Sequence, residues 1–171
     1  MKKGLVLLLV LLVLSGCSAP VWETVEDIAP AVPTASMENE TYTIEIGVPS
    51  SMKLLEAKDG WHIFSTDHGE FEVETRTFLA SGVADAVKTL SGYSMEQLTV
   101  LETERFDLPE YQFVWLTQTE QGTRLCRADL VVDGMECYAV VCSTMETAGD
   151  LYEKDIRRTI ATFGLFTDEG V

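Results

Sequence analysis

Several residues in this chain have the types that do chemistry. They are His62 and His68 beside Asp67 and Glu70, the thiols Cys126, Cys137 and Cys142, a lone Cys17, and the aromatic stripe Tyr111, Phe113 and Trp115. Two imidazoles and two carboxylates around one turn have the makings of a metal site. The histidines stand six apart, however, one within a strand and one in an Asp-His-Gly turn, which matches no standard ligand spacing. We therefore keep His62 and His68 as reserve metal candidates and expect no metal or cofactor. A nucleophilic thiol needs a base and a setting that favours thiolate. The two histidines lie elsewhere in the chain and the surroundings are acidic, so buried structural cysteines are expected. Tyr111, Phe113 and Trp115 share one strand face and would suit a peptide, sugar or lipid platform. Core beneath a covering helix is the preferred reading, because both faces of a sheet need cover.

Other motifs point away from catalysis. Ser50-Ser51-Met52-Lys53 contains Ser-x-x-Lys, but it follows a proline between strands and lacks the partner motifs Ser-Asp-Asn and Lys-Thr-Gly. No glycine-rich phosphate loop, Gly-x-Ser-x-Gly or zinc signature occurs. None of the abundant acids stands in an apolar run that would raise its pKa. The chain is not expected to be an enzyme.

Cys17 carries a different chemistry. Lys2 and Lys3 precede an unbroken apolar run of ten residues, Leu5 to Leu14, followed by Ser15, Gly16 and Cys17. Ten residues fall short of the roughly 20 a membrane-spanning helix needs, so residues 1–16 read as a cleaved export signal. Leu14-Ser15-Gly16-Cys17 resembles the lipobox of bacterial lipoproteins. That resemblance implies a diacylglyceryl thioether on Cys17, cleavage just before it, and membrane lipid as the first partner. Ser18 in place of aspartate resembles the pattern sorted to the outer membrane where a host has two membranes.

Removing residues 1–16 takes two lysines, leaving ten basic against 28 acidic residues and a net charge of −18. Such a surface excludes nucleic acid as a partner and disfavours anionic headgroups. Attachment must then come from the acyl chains, each buried methylene contributing roughly 0.8 kcal/mol. Residues 17–40, with Pro20, Pro30 and Pro33 among alanines and acids, read as a disordered tether spanning on the order of 25 Å. Residues 41–167 are a normal size for one domain, and 168–171 form a tail.

The elements that must hold these residues follow from periodicity. Tyr42–Val48, Met52–Ala57, Trp61–Thr66 and Phe71–Phe78 alternate with period two and read as a four-stranded antiparallel meander. Val83, Val87 and Leu90 mark a helix capped by Ser81 and ended by Gly92. Ser94 to Gln97 has capping-box spacing. Strands are expected at 100–108, 111–119, 123–132 and 135–144. A last helix over about 148–163 buries Tyr152, Ile156, Ile160 and Phe163, and Gly164 stops it. Asp133-Gly134 is a two-residue hairpin loop, pairing Val132 with Met135 and placing Cys126 opposite Val141. Cys126 and Cys137 then share a face about 13 Å apart, beyond the ~7 Å a disulfide spans, and Cys142 faces the other way.

The fold class is α+β, an antiparallel sheet of about seven or eight strands with helices on its faces, in the order ββββ-α-ββββ-α. The opening strand and the closing strand-helix pair resemble a fold shared by PsbP-like photosynthetic proteins, the Ran-binding Mog-like protein and many bacterial lipoproteins. The resemblance implies a PsbP/Mog-like sandwich over residues 40 to 167 and carries over no functional residue. The expected function is an extracytoplasmic, lipid-anchored, non-catalytic module binding an envelope protein. The alternative is a small-molecule or metal-ion binder with weak hydrolase activity near Trp61, His62 and His68.

Overall fold

The computed structural model describes residues 42–167; the signal, Cys17, the tether and the four-residue tail lie outside the described residues. Among the described residues nine strands and two α-helices follow one another: β1 (Thr43–Glu45), β2 (Lys53–Lys58), β3 (Trp61–Ser65), β4 (Phe71–Leu79), α1 (Val83–Ser91), β5 (Val100–Arg105), β6 (Leu108–Thr119), β7 (Gly122–Asp133), β8 (Glu136–Met145), α2 (Gly149–Ala161) and β9 (Gly164–Phe166). Strands β2-β3-β4-β8-β7-β6-β5 form one antiparallel sheet, and β1 pairs with β9 in a second, two-stranded one.

Strand β8 occupies the middle of the seven-stranded sheet, and every residue from Cys137 to Thr144 is buried. Its continuous run Cys-Tyr-Ala-Val-Val-Cys, apolar at odd and even positions alike, suits a strand covered on both sides. On one face Phe64, Phe71, Val73, Tyr138, Val140 and Cys142 meet Ile44 of β1, Ile160 of α2 and the flanking Ile46 and Phe163, with Tyr152 and Ile156 packed at the margin. On the other, Phe113, Trp115, Ala128, Leu130, Ala139 and Val141 meet Ala86 and Val87 of α1.

Four expectations need correction. The opening strand does not join a four-stranded meander: β2, β3 and β4 make a meander of three, and β1 crosses to β9. Ile44, Ile46 and Val48 are buried as the alternation requires. Alternation specifies which side chains turn inward but not which strand supplies the ladder. Gly164 does not stop α2. The helix ends at Ala161, the Thr162 hydroxyl accepts the Gly47 N–H (2.8 Å), and Gly164 opens the unforeseen β9.

The β7–β8 hairpin is displaced as well. Gly134 and Met135 form the loop, Asp133 pairs with Glu136, and Cys126 lies opposite Ser143 rather than Val141. Gly134 has φ +61° and Asp133 does not have a positive φ, so the glycine takes the first loop position. The slip is two residues, which keeps every side chain on its expected face.

The α1 cap also differs. Gly82 holds the N-cap position without a side-chain bond, while the Ser81 N–H and hydroxyl both donate to Asp85 Oδ2 at 3.0 Å. A carboxylate in the first turn is favoured by the helix dipole, and the Ser81 bonds hold it below the usual range. Gly92, at φ +79°, closes the helix as expected.

Candidate functional site

The histidines are separated by their elements. His62 sits within β3 between Ala57 and Thr75, buried, its Nδ1 without a hydrogen-bond partner. Burial lowers its pKa. His68 is exposed in the β3–β4 turn. The neighbouring acids are engaged elsewhere: Asp67 takes Lys53 Nζ at 2.5 Å, and Glu70 accepts the Tyr152 hydroxyl at 2.9 Å. That lysine bond holds Asp67 below the usual carboxylate range. Among the described residues no group of three or more His, Cys, Asp or Glu is placed to hold a metal ion. The ammonium of the Ser-x-x-Lys run is spent on Asp67.

The three described cysteines are free and buried, with Cys126 and Cys137 in one core and Cys142 in the other. Burial pushes the Cys126 and Cys137 thiols up to about 11, and Cys142 further still. These are poor nucleophiles. The aromatic stripe is core: Phe113 is 3% and Trp115 8% exposed, their rings stacked 5.5 Å apart, with Tyr111 half-buried beside them. Trp61 donates its indole N–H to Glu74 at 2.5 Å and lies beneath Lys58 and Arg76.

One acid breaks the sequence expectation. Asp129 stands in Ala128-Asp129-Leu130 and is fully buried, and burial raises its carboxyl pKa. It belongs to a polar cluster under the C-terminal end of α2. Arg105 Nε donates to Glu110 Oε1 at 2.5 Å, with another of its nitrogens 3.5 Å from Asp129 Oδ2. Thr103 and Gln112 donate to Glu110 Oε2. A further Arg105 nitrogen reaches the carbonyls of Ile160 (3.4 Å) and Phe163 (3.3 Å), and the guanidinium lies over the Phe163 ring. The cluster ties the edge of the sheet to the helix. Glu110 is held by these partners, whereas Asp129 Oδ1 is buried without a hydrogen bond, Arg127 Nε lying 3.5 Å away.

Among the described residues three concavities border the sheet; one, of about 330 Å³ beside Trp61, Arg76 and Thr77, is lined by neither histidine. Beside α1, a cavity of about 250 Å³ lies over Trp115 and Arg124. Its charges are paired internally, Arg124 with Glu72 at 3.1 Å and Arg76 with Glu74. Beside α2, a groove of about 280 Å³ is floored by Val114, Leu125 and Ile156 and walled by Glu146, Asp150 and Glu153. It opens onto an apolar patch that α2 leaves uncovered. Leu101, Val114, Leu116 and Leu125 turn to this side of β5, β6 and β7 and are 40–56% exposed; Leu116 and Leu125 are direct cross-strand partners. Sequence reasoning missed this surface. Its signal was the run Phe113-Val114-Trp115-Leu116, apolar on both faces where an edge-ward strand should alternate.

The architecture can be matched to known structures. The solution structure of the cyanobacterial PsbP, CyanoP, from Synechocystis superposes with a TM-score of 0.55 at 13% identity, covering 89% of this chain and 99% of that one. The fold is PsbP-like. LpqN of Mycobacterium tuberculosis, described as involved in cell envelope biogenesis, gives 0.52 at 12% identity over 81% and 91%. A Bacteroides thetaiotaomicron structure gives 0.51 at 11% identity over 74% of this chain, which spans under half (46%) of that protein. No protein-family model and no curated protein sequence matches the chain. At these identities the likeness establishes the fold alone. Among the described residues no helix is long and apolar enough to cross a membrane.

Proposed function

We propose that this chain is a lipoprotein of the bacterial envelope, held by acyl chains on Cys17 and using its PsbP-like domain to bind another envelope protein without catalysing a reaction. In a host with two membranes its place is the outer one. The observation that carries the binding reading is the uncovered face of β5–β7. Four aliphatic side chains stand together in water beside an open groove, and contiguous apolar surface on a soluble domain marks an interaction site. The description of LpqN as an envelope-biogenesis protein is compatible with this setting. The metal or small-molecule reading has less support, since His62 is buried in a strand while His68 stands out in a turn.

Two measurements test the proposal. An alkyne fatty acid fed to cells should label the wild type and not Cys17→Ser; an unlabelled wild type defeats the anchor. A photo-crosslinking residue at position 116 should give a discrete, reproducible protein adduct in native membranes. Absence of any adduct there, with the protein folded and in place, defeats the binding role.

A further inference from the structure

We infer that the groove beside α2 takes a cationic, amphipathic segment of the partner: two or three aliphatic side chains flanked by lysines or arginines. The inference rests on the binding role proposed above and gives that partner a chemistry. The floor asks for aliphatic groups, since Val114, Leu125 and Ile156 offer no polar partner. The wall asks for positive charge. Glu146, Asp150 and Glu153 stand along the first two turns of the helical segment, exposed. One cation, Arg127, also lines the groove, but its guanidinium is already 3.5 Å from the buried Asp129 carboxylate. Glu153 pairs with Arg157 one turn on, with both side chains largely in water. Such an exposed pair exchanges readily for another.

Charge also excludes the other occupants. A second copy would bring an equally acidic wall against this one, in a chain of net charge −16. A membrane with anionic headgroups is repelled for the same reason. The chain's own tether contains no lysine or arginine anywhere from Ser18 to Met52, and it carries Glu23, Glu26, Asp27, Glu38 and Glu40. Its point of attachment lies at the far end of the sheet. Tyr42 packs on Tyr138, whereas the groove lies by Thr144, six residues along β8. That is roughly 20 Å.

The probe is a fluorescent peptide of alternating lysine and valine, titrated into the full chain purified in non-ionic detergent, with a glutamate–valine peptide as counterpart. Anisotropy gives affinity, and hydrogen exchange read by mass spectrometry gives location. The lysine peptide should bind and protect β6, β7 and the start of α2. Leu125→Glu should weaken it at least tenfold, and the paired surface change Asp150→Asn with Glu153→Gln about fivefold, the latter without disturbing the floor. The glutamate peptide should not bind. No protection in those segments overturns the inference, as does equal binding of the two peptides or undiminished binding by both variants. If adducts form at position 116 while the lysine peptide fails, the partner chemistry is wrong and the binding role survives; if no adduct forms, the role itself is lost.

Discussion

Replacing Arg105 by methionine should destabilise the domain strongly, although its side chain is not wholly buried. Arg105 is 22% exposed, yet it faces Glu110 and Asp129, whose side chains are 4% and 0% exposed. Methionine keeps the apolar stem over Phe163 and deletes the charge. Removing one partner of a buried ion pair leaves the other uncompensated, at about 3–5 kcal/mol. The two carbonyls at the end of α2 lose their donor as well, at roughly 0.5–1 kcal/mol each for bonds as long as 3.3–3.4 Å. For a domain of this size, about 4 kcal/mol corresponds to a fall in Tm of roughly 10–20 °C. The cost should depend on pH. Burial holds the Asp129 pKa above its ordinary value, opposed in part by Arg127 and Arg105. A group raised in this way contributes stability below its unfolded pKa of 3.8 and loses it as pH climbs through the folded value. Without Arg105 that loss deepens, so the gap between R105M and wild type should narrow toward pH 4, down to what the two carbonyl bonds contribute, and widen toward neutrality. Urea unfolding at several pH values measures this directly. In the R105M background, Asp129→Asn should restore a large part of the loss at neutral pH. A cost below about 1 kcal/mol at neutral pH, or one that stays constant down to pH 4, would refute the account of the cluster.

Other expectations follow from single sites. Cys126, Cys137 and Cys142 should resist Ellman's reagent in the native state at about pH 8 and react only in concentrated urea, because burial keeps all three protonated; one thiol reacting rapidly in the folded protein contradicts this. His62 has its pKa lowered from 6.5, so the unfolded chain binds its proton first as pH falls. Stability should be full above 6.5 and decline below it until the folded value is passed, and His62→Gln should flatten that decline in urea midpoints. Phe106 and Asp107 both take left-handed backbone at the β5–β6 turn, with φ of 58° and 61°. Asp107→Gly should stabilise by about 0.5–1 kcal/mol. Phe106→Gly should gain less, because it also loses the edge-on contact with Phe163. Gly134→Ala should cost roughly 1–2 kcal/mol from backbone strain alone, since nothing lies within 4 Å of the added methyl group. Gly134→Asn should recover much of it, both changes being read as thermal midpoints.

What could be read from the chain, and what could not, divides by the range of the interaction. Alternation in Phe71–Phe78 and the spacing of Val83, Val87 and Leu90 are local, and they placed β4 and α1 within a residue or two. The β7–β8 hairpin slipped by two because Asp-Gly and Gly-Met are both competent loops, and packing on either face tolerates either register. The pairing of Ile44 with Leu165 spans almost the whole domain, and no local pattern encodes it. The same limit hid Asp129. An aspartate between alanine and leucine on a strand reads as an outward position until the sheet is covered there and Arg127 from its own strand and Arg105 from another close on it. The groove was hidden for the opposite reason. Val114 and Leu125 look like core, and only the end of α2 at Gly149 leaves them uncovered. An apolar residue's type says that it seeks cover; whether its own chain supplies that cover depends on how far a helix reaches. The acidic wall was equally invisible, because Glu146, Asp150 and Glu153 become a wall only once α2 packs against β8 and the turn before it against β7. The candidate site therefore arises where two elements, each unremarkable in sequence, fail to close over one another, and a partner with aliphatic side chains and positive charge has the chemistry to complete the closure.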